Sequence, residues 1–342
     1  MTRDFPSTPT PPGPLPRPTL VPGLRRIWRG RCSLQLGVDP ARAVVLELPD
    51  PRAAQVLDLL DGTRSERTVI TEAERLGVPE PTTRSLLAAL RQAGLVLGAQ
   101  SLLPHNLPEP IRRRLADEAA ALALRGADAP GTPAQILRRR AAAKVVVAGD
   151  GRLLTPVAVA LAESGVGHVA PATEAAAEAI RRAAPGTATA PLRRSETTFA
   201  VHVGALGPAN LIAAGYARYR VPHLLVAIRD GTALIGPLVP PRGQPCLNCL
   251  DLHRRDRDPA WPRLAAELAA AGDEPCATTT RLAAAGLAAA EVLSWLDGGE
   301  PATLGALVEL AAPGQLRRRS WPPHPRCDCA RASARRTGRM IG

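Results

Sequence analysis

The residues best suited to chemistry in this chain are four cysteines in two short motifs, Cys246-x-x-Cys249 and, about 80 residues on, Cys327-x-Cys329. Four thiolates at such spacings can enclose one zinc ion, and an all-cysteine set leaves no open position for substrate, so the chemistry expected is a structural clip. Turn-forming residues precede each pair, Gly243-Gln244-Pro245 and Pro322-Pro323-His324-Pro325, and would let the backbone fold the sulfurs together. Two disulfides or four unconnected thiols are the competing arrangements. No apolar signal segment opens the sequence, which favours a reducing, cytoplasmic setting and argues against structural disulfides. His324 could replace one thiolate, although a histidine between prolines is expected to be exposed. His253, close behind the first pair, is expected beside the site or at the surface rather than as a ligand. Cys276 precedes a helix start whose dipole could lower a thiol pKa, but an incidental thiol is the expectation there. Cys32 falls in an expected strand, as a core residue.

The elements that must position these groups come from periodicity. Residues 144–148 are a β-branched run, followed by Gly149-Asp150-Gly151-Arg152, a helix through Glu163, and Gly165-Val166-Gly167-His168-Val169. Strand, glycine turn, helix, strand is the start of a Rossmann-like unit, and its turn is where a phosphate would sit. Residues 199–203 and 224–228 are further strands. A helix over residues 279–297 is expected to pack through Leu282, Gly286, Ala289 and Leu293, with Gly298-Gly299 as its stop.

The first hundred residues read differently. Residues 1–22, rich in Pro, Thr and Ser, are expected as a disordered tail. Short strands at 27–28, 33–36 and 44–48 precede helices at 51–60, 66–76 and 83–93, and residues 95–97 return as a strand. Residues 24–98 form the first domain, 99–140 an Arg-rich helical linker, 141–330 the second domain, and 331–342 a basic tail.

Composition bounds the rest. The chain of 342 residues has a net charge of +12, but its basic residues are one lysine, Lys144, and 42 arginines, with abundant Ala, Gly and Pro. That skew is compositional, so the charge alone assigns no partner. Aromatics make up 2%, too few for a base-stacking surface, which argues against nucleic acid. The apolar runs are too short to span a bilayer, so no membrane is expected.

Two resemblances follow from these residues. Leu59-Leu60-Asp61-Gly62-Thr63, the helix containing Leu86 and Leu90, and Gly94-Leu95-Val96 resemble the winged-helix-like domain that grips the leader of ribosomally made peptides. That resemblance implies that a leader adds as an extra strand at residues 43–48, including Val44, Val45 and Leu46, and docks against the helix at 83–93 through Leu86 and Leu90. The second half resembles the ThiF-type, ubiquitin-activating-like proteins, on the glycine turn, on Val221-Pro222-His223 leading through Gly236-Pro237-Leu238-Val239, and on the zinc pairs. The stretch from Pro245 to Arg254 is most similar to the subgroup found with azoline-forming (TOMM) cyclodehydratases, in which a leader-binding domain is fused to a ThiF-like body. The expected fold class is therefore α/β: a Rossmann-like ThiF-type domain, an N-terminal winged-helix-like α+β domain and a four-cysteine zinc clip.

Active members of the ThiF family bind ATP and Mg²⁺ and adenylate a carboxylate. In this sequence Leu154 stands where the third glycine of the fingerprint would be and is expected to crowd the turn. Asp150 puts a negative charge inside it, and no acid follows the second strand until Glu174. Val201-His202-Val203-Gly204 occupies the place of the family's metal-binding aspartate. Gly149 and Gly151 are thus read as a vestigial nucleotide turn, and the sequence argues against ATP. The expected function is a scaffold that presents a precursor leader peptide to a separate YcaO-type cyclodehydratase, with structural Zn²⁺ and no catalytic residue; a homodimer is left open. The alternatives are an active ThiF-type adenylyltransferase acting on a carrier protein or peptide C-terminus, and a DNA-binding regulator.

Overall fold

Alternating and continuous apolar strands divide this molecule, a computed structural model, into two compact units separated between Gln135 and Ile136. The structure describes residues 15–40, 42–125, 130–204, 215–216, 218–241, 245–270 and 274–329. The basic tail expected at 331–342, the first 14 residues of the Pro-rich segment, and Gly243 and Gln244 of the turn expected before Cys246 lie outside the described residues.

In unit 1, β2 (Arg26–Trp28), β3 (Ser33–Leu36) and β4 (Val44–Glu47) form an antiparallel sheet in the order β2-β3-β4. Period-two alternation turns Leu34, Leu36 and Leu46 inward and leaves Gln35 and Val45 outside. A 3-10 turn (Pro51–Leu59) and the helices α1 (Glu66–Arg75) and α2 (Glu80–Gln92) close the core, α1 being capped by Ser65, whose Oγ accepts from Thr68 N at 3.1 Å. Val56, Leu57, Val69, Leu86, Leu87 and Leu90 fill that core. Disorder expected through residue 22 is corrected. Pro18–Leu20 form β1, paired antiparallel with β5 (Val96–Gly98), because this short apolar segment closes the core beside Leu60 and Leu95. Two further helices, α3 (Ala99–Leu102) and α4 (Glu109–Leu124), complete the unit before α5 (Pro133–Ala142).

Unit 2 is built on a seven-stranded sheet. Parallel strands β6 (Lys144–Gly149), β7 (His168–Pro171), β8 (Phe199–Val203) and β9 (His223–Arg229) are continued by antiparallel β10 (Thr232–Val239), β11 (Ala306–Ala312) and β12 (Gln315–Ser320), in the order β12-β11-β10-β9-β8-β6-β7. Helices α6 (Leu154–Glu163) and α7 (Glu174–Ala183) connect the first parallel strands, while α8 (Leu247–Arg257), α9 (Trp261–Ala270) and α10 (Thr278–Asp297) lie between β10 and β11. One face of the sheet buries Val145, Val147, Phe199, Val201, Val203, Leu224 and Val226 under α6, α7 and α10. The face expected for α10 is corrected in part. Leu282 is 59% exposed, whereas Ala289 is buried and Leu293 packs against the core as expected; the rest of the packing face is Ala284, Ala285, Ala288 and Val292, whose small side chains let the backbone come close to the sheet.

Arg140, expected in a linker, is buried within unit 2. Its guanidinium holds both carboxylate oxygens of Asp297 at 2.7 and 2.6 Å and donates to Ser164 O at 3.0 Å, fastening the start of β6 to the end of α10. The hairpin β11–β12 has no counterpart among the strands expected from periodicity. Its turn is Pro313-Gly314, with Gly314 at φ 82°, and the run Arg317–Arg319 lies on an edge strand, where charge discourages further pairing.

Candidate metal and peptide sites

Helix α8 begins directly after Cys246, which is its N-cap residue, so both thiols of the first pair sit on the first turn at the positive end of the helix dipole. The second pair follows a turn closed by Cys327 N donating to His324 O at 2.9 Å. The fold thereby brings all four sulfurs within 4.8 Å of one another. Individual separations are 3.9 Å for Cys246–Cys249, 3.6 Å for Cys246–Cys327 and 3.2 Å for Cys249–Cys329. A zinc–sulfur tetrahedron has edges of about 3.8 Å, whereas a disulfide needs about 2.05 Å. All six cysteines are free, so the two-disulfide arrangement is not adopted.

The electrostatics also fit a dication. Burial, followed by the neighbouring Cys249 and Cys327, pushes the Cys246 thiol up to about 11. Burial and the hydrogen bonds with Cys249 and Cys327 push Cys329 up as well. Cys327 is the exception: burial works against ionisation there too, but hydrogen bonds from the Cys329 backbone and the Asn248 side chain hold it below the usual thiol value. Four crowded sulfurs cannot all ionise unaided, and a divalent cation is what would let them. Donors already face the sulfurs, Asn248 Nδ2 to Cys327 Sγ at 3.3 Å and His324 N to Cys249 Sγ at 3.3 Å.

The structure corrects the expectation that His324 is exposed. It is 2% exposed; its Nε2 donates to Asp256 Oδ2 at 2.8 Å and its Nδ1 accepts from Arg326 N at 3.1 Å, so both ring nitrogens are engaged away from the sulfurs. His253 packs edge-on against His324, 4.7 Å between centroids, and donates to Pro322 O at 2.9 Å, which places it beside the cluster as expected. Asn248, Asp256 and Arg326 escaped sequence reasoning, since nothing in their spacing marks them. Cys276 is not activated: burial raises its pKa despite Arg281 nearby. Cys32 sits in the β2–β3 turn, half-buried, rather than in a strand.

Elsewhere in unit 2, the glycine turn keeps its backbone shape. Gly149 has φ 98°, and a Cβ there would lie 1.9 Å from Val203 O. A Cβ on Gly204 would lie 2.4 Å from Asp150 Oδ1, so the Asp150 carboxylate stands between the ends of β6 and β8. Leu154 is corrected in one respect: it is 2% exposed and belongs to the core under α6, so it fills the helix–strand packing rather than obstructing it. Glu174 is engaged by Arg181 at 2.5 Å in the first turn of α7, and Thr173 caps that helix through Ala176 N at 3.3 Å. His202 is held neutral by burial, its pKa lowered, although Asp150 opposes this.

For the peptide site, the structure separates the five residues. Leu46, Leu86 and Leu90 are 7%, 6% and 0% exposed and form the core, so their side chains are closed to a ligand. Val44 is half-buried, and Val45 is 39% exposed. Register places Ile27, Gln35 and Val45 side by side across the outer face, with Ile27 41% exposed; Trp28, 48% exposed, pairs with the inward-facing Leu34 at the end of β2. Neither β2 nor β4 has a second strand neighbour among the described residues. The exposure of Ile27 and Trp28 escaped sequence reasoning, which does not say which apolar positions of a short strand stay outside.

Residues 51–97 match the IclR helix-turn-helix domain family. Comparison with curated protein sequences finds no match. Among solved structures, the chain is similar to E. coli MccB crystallised with ATP, at 15% identity and TM-score 0.59, covering 91% of this chain and 98% of that one. It is equally similar to the microcin C7 biosynthetic enzyme MccB in complex with N-formylated MccA, at 15% identity and TM-score 0.58 with the same coverage. The heterocyclase TruD matches at 16% identity and TM-score 0.61, over 91% of this chain and 42% of TruD. The chain thus has the ThiF-like fold that its motifs resemble, shared with E. coli MccB and the heterocyclase TruD and preceded by a helix-turn-helix-like segment.

Proposed function

We propose that this protein is a zinc-clipped binding scaffold that captures the leader of a ribosomal precursor peptide and presents it to a separate YcaO-type cyclodehydratase. One observation carries the reading: a three-stranded sheet whose outer strands have no further strand neighbour among the described residues exposes Ile27 and Val45 on either side of Gln35. An extended peptide would add to the β4 or β2 edge through main-chain hydrogen bonds and gain selectivity from that row and from Trp28. The fold supports the reading, since MccB, which shares it, has a solved structure in complex with N-formylated MccA. Zinc in the four-cysteine cluster would hold α8 to the segment around Cys327, a structural role. The glycine turn, with Asp150 standing between the strand ends and His202-Val203-Gly204 where ATP-using relatives place an acid, supports binding without adenylation. Calorimetric titration with candidate leader peptides tests the proposal. Saturable micromolar binding that Val45→Asp abolishes is expected; its absence, together with no cyclodehydratase recovered by affinity capture, would overturn it.

Two observations favour other readings. The fold is shared with MccB crystallised with ATP, which favours an adenylyltransferase, and ATP–pyrophosphate exchange decides that case. The helix-turn-helix match favours DNA, but the outward face of α2 offers Arg84, already paired with Glu80 at 2.6 Å, alongside Ser85, Ala88, Ala89 and Gln92. That face is poor in phosphate-binding charge, and salt-dependent duplex binding would have to appear to revive the reading.

A further inference from the structure

A second concave site in unit 2 is used neither by the zinc cluster nor by the peptide sheet. A cavity of about 330 Å³ opens between α8 and the antiparallel half of the sheet, on the face opposite α10. Arg229, Arg254, Arg257 and Arg319 converge on it against two carboxylates, Asp230 and Glu309. Its floor includes the buried Leu234 and Leu307.

The charges there are poorly matched. Arg254 and Arg257 lie one helical turn apart on α8, and Arg229 ends β9 beside them. Among the described residues, none of these three has a carboxylate at ion-pair distance. Arg254 and Arg229 instead share the ring of Trp261, at 4.8 and 5.8 Å from its centroid, and that indole is held in place by Nε1 donating to Asp251 Oδ1 at 2.5 Å. Glu309 is drawn to Arg319, whose Nε lies 2.9 Å from its Oε1 without the alignment needed to donate, leaving that buried N–H without a hydrogen-bond partner. Burial, and then the neighbouring Arg229, depress Arg254 to about 10, and Asp251, one turn earlier on α8, opposes the shift only in part.

Adjacent guanidiniums in a cleft, two of them over an aromatic ring and none with a carboxylate at ion-pair distance among the described residues, are preorganised to take an oxyanion in a planar, two-point grip. The volume is that of a small-ligand pocket, and the leucine floor would accept a short apolar body. The geometry points to a binding site for a small oxyanion-bearing ligand, a carboxylate or a phosphate, held by Arg229, Arg254 and Arg257. This assignment is independent of the peptide-scaffold reading, because every residue in it belongs to unit 2 and lies outside the three-stranded sheet.

Calorimetric titration of the full zinc-loaded chain with glutarate and with pyrophosphate tests it. Saturable one-to-one binding of at least one probe is expected, weakened at least about tenfold, or ~1.4 kcal/mol, in Arg254→Gln. Arg257→Gln, at an exposed position on the cavity wall, is expected to weaken the same probe while leaving the melting temperature unchanged, which separates lost binding from lost folding. Binding of glutarate alone would identify the source as a carboxylate ligand, and of pyrophosphate alone as a phosphate ligand. No saturable binding of either probe at millimolar concentration, or equal binding by both variants and the parent chain, would overturn the assignment.

Discussion

The clip and the glycine turn of unit 2 are held together by different means. At the clip, the fold places four sulfurs within 4.8 Å, an arrangement that is electrostatically incomplete without a cation. The turn at Gly149 is complete as it stands, with its backbone against Val203, and the strand leading into it is anchored at its start by Arg140 and Asp297. Glycine sterics and packing against Val203 define the shape of that turn. The thiol cluster has donors from Asn248 and His324 but nothing that balances the charge of four thiolates.

Removing the zinc proposed for the four thiols is the strongest way to test this contrast. Chelation, or Cys246→Ser or Cys327→Ser, is expected to eliminate the cooperative melting of unit 2, since structural zinc contributes apparent values of about 10–16 kcal/mol. Zinc stoichiometry and a thermal melt check it, and an unchanged melt would end the zinc proposal. Next in size is the buried ion pair that anchors the Rossmann strand. Arg140→Ala or Asp297→Ala leaves the other charge buried and unpaired and should lower stability by about 3–5 kcal/mol in urea titrations, in zinc-loaded protein.

Acid should act on the sheet as well. His223 on β9 is buried, stacked on Tyr216 at 4.5 Å, and its Nε2 has no hydrogen-bond partner among the described residues; burial depresses its pKa to about 4. The unfolded chain takes up a proton near pH 6.5 while the folded one does not, so this contribution is fully present above pH 6.5 and is lost as pH falls toward 4, on the order of 3 kcal/mol. Replacing it with His223→Gln should flatten the slope of stability against pH in that window. A smaller effect is expected of Gly149→Ala, which forces a side chain against Val203 O at φ 98° and should destabilise by about 1–3 kcal/mol without reference to any nucleotide. Smallest in stability, within about 0.5 kcal/mol, should be Ile27→Asp on the exposed row of unit 1, read by peptide binding rather than by melting.

Local signals were sufficient for much of this architecture. The period-two runs at 33–36 and 44–47, the apolar stripe of α2, and the β6–turn–α6 sequence each state their element within a few residues. Other features required distant partners. Pro18–Leu20 looked like tail because a strand of three residues has no period of its own, and it is recognisable only through its pairing with Val96–Gly98. The β11–β12 hairpin was hidden by its arginines, which look like solvated charge until an edge strand accounts for them. The arginine cavity was invisible for the same reason in a chain with 42 arginines.

By itself the sequence determined the identity of the four thiols and the ThiF-like order of elements, because both rest on residue type and short spacing. Tertiary structure alone decided which apolar residues remain open to a partner and which arginines lack a counter-charge. Leu46, Leu86 and Leu90 are apolar at suitable spacing, yet the core takes them and leaves Ile27, Trp28 and Val45 outside. Burial and charge balance depend on what folds in from elsewhere in the chain, and spacing along the chain carries no record of that.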